Sequence, residues 1–408
     1  MEKPVGLSNQ AVTVMTGISL SDSEKSEALD LLTDVININT VNPPGNEGVL
    51  VDYIAKYLYE TGVEIQIVPV AANRSNIIDA IKGRKSGDSL VLNGHLDTVP
   101  FGDSEQWQTP PDKAVILEGK VYGRGASDMK SGLCAALFAF KKTAAEKPTP
   151  AYDLIFTGTA DEETNGAGAE ALVNSGILGN AGGIIIGEPT GNDICLASKG
   201  ALWITVTVKG RAAHGAQPDE GINAIEYAIL FAQKIPLVIR VKGHKFLSPS
   251  TCAVTGLNGG IKVNMIPDRA VLTIDMRFLP PDDSSSIIER IHTIAKEFEV
   301  SCPGLSIEIG ILNRREPVDT GENENLVKSF AESISRVTGK NLDFIGVNYF
   351  SDASVFRKYN DIPVVLFGPG DNREAHKPNE SVKIEDYFTS IVCYRRFLGE
   401  YGGRNSEE

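Results

Sequence analysis

The sequence predicts an α/β fold with a mixed sheet between helices, interrupted by a smaller α+β unit. Short apolar runs at residues 90–92, 154–159 and 183–186 are typical of buried strands, and segments with helical spacing of apolar residues separate them. From residue 202 the strands instead alternate apolar and polar residues, which indicates a sheet with one polar face. Buried-strand character returns after residue 312. A chain of 408 residues is long enough to form two such cores.

The first α/β part is predicted to run from residue 21 to residue 199. Its first helix, at 21–36, has Ser21 or Asp22 as N-cap and buries apolar residues at helical spacing. The other helices are predicted at 48–60, 130–142 and 168–175, and the strands at 63–68, 77–81, 90–92, 154–159 and 183–186. Alternating helices and strands favour a sheet that is covered by helices.

The interrupting unit is predicted to run from residue 200 to residue 311. Its elements are a strand at 202–209, a helix at 223–234, two strands at 261–266 and 270–278, a helix at 285–298 and a strand at 305–311. This order predicts a ferredoxin-like sheet with two helices. The second α/β part follows at 312–408, with helices at 325–338 and 384–399 and a strand at 364–367. Residues 1–20 are predicted to be an N-terminal extension.

Composition excludes several classes of function. The net charge is −14, so neither a nucleic-acid backbone nor an anionic membrane surface is expected as a partner. No apolar run approaches 18 residues, and the first residues lack the pattern of a secretory signal. The five cysteines are widely spaced, odd in number and without a C-x-x-C pair. We therefore expect reduced thiols in a cytoplasmic protein.

Acidic and imidazole side chains follow three of the predicted buried strands. His95 and Asp97 follow the strand at 90–92, Glu162 and Glu163 follow the strand at 154–159, and Glu188 follows the strand at 183–186. Ligand sites in open α/β sheets lie at the carboxyl ends of strands, so these residues are expected to share one site. His95 and Asp97 are two positions apart and therefore point to the same face of an extended chain.

Two histidines and several carboxylates suit zinc, cobalt or manganese, and the lack of clustered cysteines argues against a structural zinc site. Two metals held close together need a bridging carboxylate and further ligands on each ion. The adjacent Glu162 and Glu163 point in opposite directions on an extended chain. One of them is therefore expected to bind metal and the other to serve as general base. Taken singly, these residues are more typical of solvated surface groups, and it is their joint placement at the strand ends that favours a shared site.

Five ordered motifs resemble the dinuclear-zinc amidohydrolase and exopeptidase family, which contains succinyl-diaminopimelate desuccinylase, acetylornithine deacetylase, aminoacylase and glutamate carboxypeptidase. They are NGHLDTVP at 93–100, YGRGASDMKSG at 122–132, ADEE at 160–163, GEPT at 187–190 and GPGDNREAH at 368–376. The resemblance extends from residue 21 to the last helix. It implies a zinc-exopeptidase-like catalytic domain and two divalent metal ions, most typically zinc.

The resemblance also implies a role for each residue of the site. Asp128 would bridge the metals, and a conspicuous, often cis, peptide would follow it. Glu162 would be the general acid/base that takes a proton from a metal-bridging water and returns it to the leaving amine. Asp97 would orient His95. One metal would be bound by His95 and Glu188 and the other by Glu163 and His376.

Within the inserted unit, the resemblance implies a lid and dimerisation domain. His214 in KGRAAHG would stabilise the oxyanion, reaching across from the partner subunit in dimeric relatives. Asn264 and Arg277 match positions that contact the substrate or the oxyanion, with a surface ion pair as the alternative for Arg277. Ser351 and Gly368 would line the pocket by the same analogy. Lys199–Gly200 would be the hinge.

The expected function is hydrolysis of the amide bond of a small anionic N-acyl amino acid. Succinyl-diaminopimelate desuccinylase, an enzyme of lysine synthesis, is favoured because an anionic acyl arm suits Arg277. Acetylornithine deacetylase and other deacylases or dipeptidases of the family remain alternatives. A non-catalytic binding protein on the same fold is disfavoured, because Glu162 and the five ligand positions carry the expected residue types. A serine hydrolase is disfavoured because no G-x-S-x-G motif occurs.

Overall fold

The computed structural model describes residues 19–146, 149–340, 343–359 and 361–401, so nearly all of the predicted N-terminal extension lies outside the described residues. The described α-helices are α1 (Asp22–Asn37), α2 (Glu47–Leu58), α3 (Lys130–Ala145), α4 (Ala167–Asn174), α5 (Ala224–Lys234), α6 (Ser284–Ser301), α7 (Asn325–Thr338), α8 (Ala353–Tyr359) and α9 (Ile384–Tyr401). None of these helices combines the length and hydropathy that crossing a bilayer requires.

The β-strands of the same residues form four sheets. They are β1 (Glu64–Ala71), β2 (Arg74–Ile81), β3 (Ser89–His95), β4 (Val115–Leu117), β5 (Lys120–Tyr122), β6 (Leu154–Thr159), β7 (Ala181–Ile186), β8 (Ile194–Ser198), β9 (Gly200–Lys209), β10 (Ala213–His214), β11 (Thr251–Gly259), β12 (Met265–Ile266), β13 (Arg269–Phe278), β14 (Ser306–Arg315), β15 (Val318–Asp319), β16 (Phe344–Val347), β17 (Val364–Leu366) and β18 (Ser381–Lys383). The predicted strands and helices of the first α/β part are confirmed to within a few residues.

The main sheet is mixed, as predicted, and its described strands have the order β1-β2-β6-β3-β7-β17-β8-β15, with β16 paired to β8. Strand β3 is parallel to both β6 and β7, and all seven of its residues are buried. These three strands therefore end at the same edge of the sheet. The chain leaves this edge at His95, at Thr159 and at Ile186.

Two helices of the main domain show why the sequence folds locally as it does. Helix α1 begins with a capping box, in which Ser21 and Glu24 satisfy each other's backbone N–H groups. Helix α3 begins against the end of β7, because a Cβ atom on Gly132 would lie 1.7 Å from the carbonyl oxygen of Gly187. This close approach brings the segment before α3, which contains Asp128, next to Glu188.

The inserted unit is a four-stranded antiparallel sheet in the order β11-β13-β9-β14, with α5 and α6 packed on it. This is the predicted ferredoxin-like order. The predicted strand at 261–266 is wrong, because the partner of β13 is β11 and Gly260 turns the chain with a φ of 76°. Only Met265 and Ile266 of that segment are in a strand, and they pair with β10.

The chain passes from the main sheet into the insert at Lys199, between β8 and β9, and returns after Arg315. The return lies four residues later than the predicted boundary at residue 311. Lys199 is buried, and its ammonium group donates hydrogen bonds to Ser248 Oγ at 2.8 Å and to the Pro249 carbonyl oxygen at 2.7 Å. The crossing point is therefore held by a side chain rather than left as an open linker.

Candidate active site

The structure brings the predicted histidines and carboxylates together at the edge where β3, β6 and β7 end. Asp128 lies at the centre: His95 Nε2 is 3.2 Å from its Oδ1, and His376 Nε2 is 3.3 Å from its Oδ2. His376 Nε2 is also 3.1 Å from Glu163 Oε2. Three sets of these residues have one ligand atom each within 4.8 Å of the others, namely His95 with Asp128 and Glu188, Asp128 with Glu163 and His376, and His95 with Glu162 and Glu163.

Asp128 is held by a buried residue, Glu380, that was not among the residues predicted from the sequence. Glu380 Oε1 accepts hydrogen bonds from the backbone N–H groups of Ser127 at 2.8 Å and Asp128 at 2.9 Å. Its other oxygen forms an ion pair with Arg124 at 2.7 Å. Glu380 is fully buried. The peptide bond between Asp128 and Met129 is cis. Glu380 thus fixes the backbone that carries the central carboxylate.

Asp97 contacts His95 in a different way from the one expected. The main-chain carbonyl oxygen of Asp97 is 2.9 Å from His95 Nδ1, whereas its carboxylate is 3.7 Å away. The carboxylate instead accepts hydrogen bonds from the backbone N–H groups of Glu162 at 3.1 Å and Glu163 at 3.2 Å, and from Asn42 Nδ2 at 2.8 Å. Asp97 therefore ties the ends of β3 and β6 together.

The expectation that Glu162 and Glu163 point in opposite directions is wrong, because it assumed an extended chain. Strand β6 ends at Thr159, and Asp161 has a positive φ of 70°. The chain turns at this point, so both carboxylates reach the same cluster with His95. The directions of the two side chains therefore do not distinguish the metal ligand from the base. Their neighbours do, since Glu163 lies against His376 and Glu162 Oε2 is 4.0 Å from His95 Nε2.

Burial and mutual proximity shift the pKa values of this cluster. Burial raises the pKa of Glu162 and of Glu188 well above the ordinary carboxyl value, and neighbouring carboxylates add to the effect. Burial also raises the pKa of Asp97 to about 7. Burial would lower the pKa of His95, but its hydrogen bond with Asp128 and the nearby carboxylates raise it instead. Hydrogen bonds with Asp128 and Glu163 raise the pKa of His376 to about 10.

A cavity of about 400 Å³ opens over the cluster. Its lining includes the carboxylates and His376, together with Trp203, Arg277, Tyr349 and Phe350. The Arg277 guanidinium lies 5.5 Å from the ring centres of both Trp203 and Phe350. It also forms the ion pair considered as the alternative, with Asp275 at 2.8 Å. Arg277 thus combines both expected settings, an ion pair and the wall of the site.

Four of the predicted residues lie elsewhere. His214 and Asn264 are exposed at the β10–β12 ribbon, where the Asn264 carbonyl accepts a hydrogen bond from Gly215, and neither lines the cavity. Ser351 and Gly368 are buried and also lie outside the described lining. A Cβ on Gly368 would be 2.5 Å from the Gly187 carbonyl oxygen, so close packing of the backbone explains why glycine occupies this position. None of these four residues is among the described lining residues, so their roles in the pocket stay predictions.

The cluster suits divalent cations. Its donors are two imidazoles and several carboxylates, the set that zinc, cobalt and manganese accept. Glu163 Oε1 is buried and has no hydrogen-bond partner among the described residues. Four carboxylates, those of Asp128, Glu162, Glu163 and Glu188, share the site with two imidazoles. Cations would offset this excess of negative charge and provide the missing partner.

Metal uptake by the metal-free protein is expected to release protons near neutral pH. The pKa values of His95, His376 and Glu188 are all raised when no metal is bound, and each of these groups that holds a proton must lose it to bind a metal. The apparent affinity for Zn²⁺ should therefore rise with pH up to the region of the His376 pKa, about 10. Calorimetric titration in two buffers of different ionisation enthalpy measures the number released. Uptake with no proton release would contradict these protonation states.

Comparison with known proteins agrees with this geometry. The family model described as peptidase family M20/M25/M40 matches residues 91–400. A "Probable succinyl-diaminopimelate desuccinylase" of Staphylococcus epidermidis is 26% identical over 410 residues, covering 94% of this chain and 98% of that protein. An "Uncharacterized metallohydrolase" of Methanocaldococcus jannaschii is 32% identical over 408 residues, covering 91% and 98%. The M20 family metallo-carboxypeptidase of Sulfolobus solfataricus superposes with a TM-score of 0.74 at 21% identity, covering 92% and 99%.

The fold and the site define a metal-dependent hydrolase. The chain belongs to the peptidase family M20/M25/M40, since the family model covers most of its length. The resemblance inferred from the five motifs is thereby confirmed, as is the predicted α/β class.

Proposed function

We propose that this chain hydrolyses the amide bond of a small N-acyl amino acid, with N-succinyl-diaminopimelate as the favoured substrate and two zinc ions as the metals. The observation that carries the proposal is that a buried acid, Glu162, shares one cavity with the metal-type cluster and with Arg277. A cation in the lining of this cavity suits an anionic substrate arm. The relative in Staphylococcus epidermidis has the corresponding name. This activity would place the enzyme in lysine synthesis.

The roles of the residues follow from their positions. His95, Asp128 and Glu188 would hold one cation, and Asp128, Glu163 and His376 the other, with cobalt or manganese as alternatives to zinc. When bound, the cations would polarise the amide carbonyl and acidify a water. Glu162 would accept the proton of the attacking water and return it to the leaving amine. Asp97 would keep Glu162 and His95 at a fixed separation, because it bonds to the backbone of one and the ring of the other.

Turnover of N-succinyl-diaminopimelate and N-acetylornithine by zinc-loaded protein tests this function, with chelator-treated protein as the control. We expect the succinyl compound to be preferred and the preference to shrink in Arg277→Met. Preference for acetylornithine would support deacetylation in arginine synthesis instead. Absence of turnover on both compounds in protein that holds two metals would contradict both assignments.

A dipeptide or an N-acyl derivative of an apolar amino acid is the second candidate. The rings of Trp203 and Phe350 lie edge to face with centres 6.2 Å apart and form an aromatic part of the cavity wall. Asp275 compensates part of the Arg277 charge. Such a wall favours an apolar or planar side chain over an anionic arm. The same assay with an N-acetyl aromatic amino acid distinguishes the two candidates.

We propose that the insert, residues 200–311, is a lid that dimerises with the insert of a second copy. Strand β11 is at the edge of its sheet, and Val254 and Leu257 on it are 46% and 42% exposed. Ile229 and Leu230 on α5 are also exposed. An edge strand with exposed apolar residues favours pairing with another strand. A second copy is the proposed occupant because His214 lies outside the cavity of its own chain.

The five free thiols favour the cytoplasm as the compartment.

The ring of His214 is prepared to donate a hydrogen bond. The backbone N–H of Ala216 donates to its Nδ1 at 3.1 Å, so the neutral ring carries its proton on Nε2. An exposed N–H of this kind could bind the developing oxyanion in a partner's site. His214→Ala is therefore expected to lower turnover ~10²-fold with little change in metal content.

A mixing experiment tests whether His214 acts across the dimer. Glu162→Gln and His214→Ala are each expected to be nearly inactive, but a mixed dimer would have one site with both Glu162 and His214 intact. Random exchange makes half of the dimers mixed, so about a quarter of wild-type activity should return. No recovery after verified subunit exchange would show that His214 does not act across the interface.

A further inference from the structure

The hydroxyl group of Tyr349 is buried and has no hydrogen-bond partner among the described residues. Tyr349 follows β16 and lines the cavity that contains the carboxylate cluster. A buried hydroxyl without a partner is destabilising, so such groups usually have a partner or a function. Nothing in the mechanism proposed above uses it. An acceptor for this hydroxyl can be supplied by a substrate that enters the cavity.

Tyr349 lines the same cavity as Glu162, Glu188 and Asp128, the groups proposed to act on the amide. Burial raises the pKa of Tyr349 well above its ordinary value, and the carboxylates of Glu188, Asp128 and Glu162 raise it further. Glu188 and Asp128 belong to the set that contains His95, and Glu162 is the proposed base. The carbon that is attacked must lie within reach of the water that Glu162 deprotonates. The carbonyl group of the scissile amide is therefore expected to lie in the cavity that Tyr349 lines.

We infer that the Tyr349 hydroxyl is a catalytic group that donates a hydrogen bond to the carbonyl oxygen of the scissile amide, within its own subunit. The bond strengthens as water adds to the carbonyl carbon and the oxygen becomes negative. Tyr349 keeps its proton throughout, since a phenol is a neutral donor near pH 7. The inference rests on the amide hydrolysis proposed above.

Tyr349 differs from the other donors of the chain in position. His214 is exposed and outside the cavity, so it requires a second copy or a movement of the insert. Arg277 already donates to Asp275 through Nε and Nη2. Trp203 Nε1 is a second buried donor without a partner among the described residues, but it belongs to the insert, beside Arg277. Tyr349 belongs to the same domain as Glu162 and the carboxylates and needs no domain movement.

The test is the substitution Tyr349→Phe, which removes the oxygen and keeps the ring. We expect kcat to fall ~10²- to 10³-fold with little change in KM, because the contact is strongest in the transition state. The zinc content and the thermal midpoint should stay at wild-type values. The matched control is Tyr53→Phe, which also removes a phenolic oxygen. The hydroxyl of Tyr53 donates a hydrogen bond at 2.9 Å to Oδ2 of Asp34, a residue of helix α1. This control substitution should leave kcat, KM and zinc content unchanged.

Binding of a tetrahedral analogue gives a readout that does not depend on turnover. The probe is a phosphinate analogue of an N-acetyl amino acid, in which the amide –C(=O)–NH– is replaced by –P(O)(O⁻)–CH₂–. Its affinity for zinc-loaded Tyr349→Phe, measured by calorimetry, should fall by a factor similar to that of kcat. The affinity for the free amino acid product should not change.

Three results would overturn the inference: an unchanged kcat with unchanged phosphinate affinity, a raised KM with unchanged kcat, or a loss of zinc in the variant. The second would mean that Tyr349 binds a non-reacting part of the substrate, and the third that its role is structural. A wild-type protein that turned over none of the tested amides would instead contradict the proposed hydrolysis. The phosphinate titration of wild type and variant would then still decide the Tyr349 contact.

Discussion

Replacing Glu162 with glutamine is expected to lower kcat by a factor of ~10² to 10⁴ while the protein keeps both metals. Glutamine has the shape of glutamate but cannot accept a proton from water and return it to the amine. The fold should tolerate the change, because the contact that holds this residue uses its backbone N–H, which donates to Asp97. Steady-state kinetics and metal analysis of the same sample measure the two quantities.

The control for this variant is Glu170→Gln on α4, an exposed residue to which no role in the site is assigned. It makes the same chemical change and should leave turnover at the wild-type value. Retained turnover in Glu162→Gln would remove its role as the base and direct attention to Glu163, the other carboxylate of the turn. Loss of metal in Glu162→Gln would instead make Glu162 a ligand, a possibility that its membership of a set with His95 and Glu163 allows.

The meeting of His95, Glu162 and Glu188 at one edge could be predicted from the sequence. Each follows a run of apolar residues that is long enough for a buried strand, and parallel strands end at the same edge. The structure confirms this arrangement, with β3 parallel to β6 and to β7. The positions of the apolar runs along the sequence are therefore enough to predict that these three residues meet.

Contacts between distant parts of the chain could not be predicted in this way. Glu380 holds the backbone of Asp128 across 252 residues, and an acidic residue in a loop gives no signal of such a partner. Strand β11 was missed because most of its residues are exposed, so its sequence lacks the alternation that marks a half-buried strand. The turn at Asp161 was missed because its positive φ is imposed by contacts of the folded chain rather than by glycine.

Contacts between distant parts of the chain also determine the expected effect of a substitution at Asp128, the centre of the site. Asp128→Asn is expected to weaken the binding of both metals more than about 100-fold, since even indirect support of a metal ligand is worth 10- to 100-fold. The two oxygens of Asp128 contact different imidazoles, at 3.2 Å and 3.3 Å, so one substitution affects both proposed metal positions. An amide has one oxygen acceptor and no charge, and it cannot bridge two cations as a carboxylate does.

The fold should survive Asp128→Asn, because Glu380 binds the backbone N–H groups of Ser127 and Asp128 and not the side chain. Competition with a metal-binding dye measures the affinities, and the thermal midpoint of the metal-free protein measures the fold. Asp52→Asn, on the exposed face of α2, is the matched control and should bind metal as wild type does. If one metal were lost and the other retained at full affinity, Asp128 would be a ligand of a single ion. The assignment of Asp128 as the bridge would then be wrong even though the cluster around it stands.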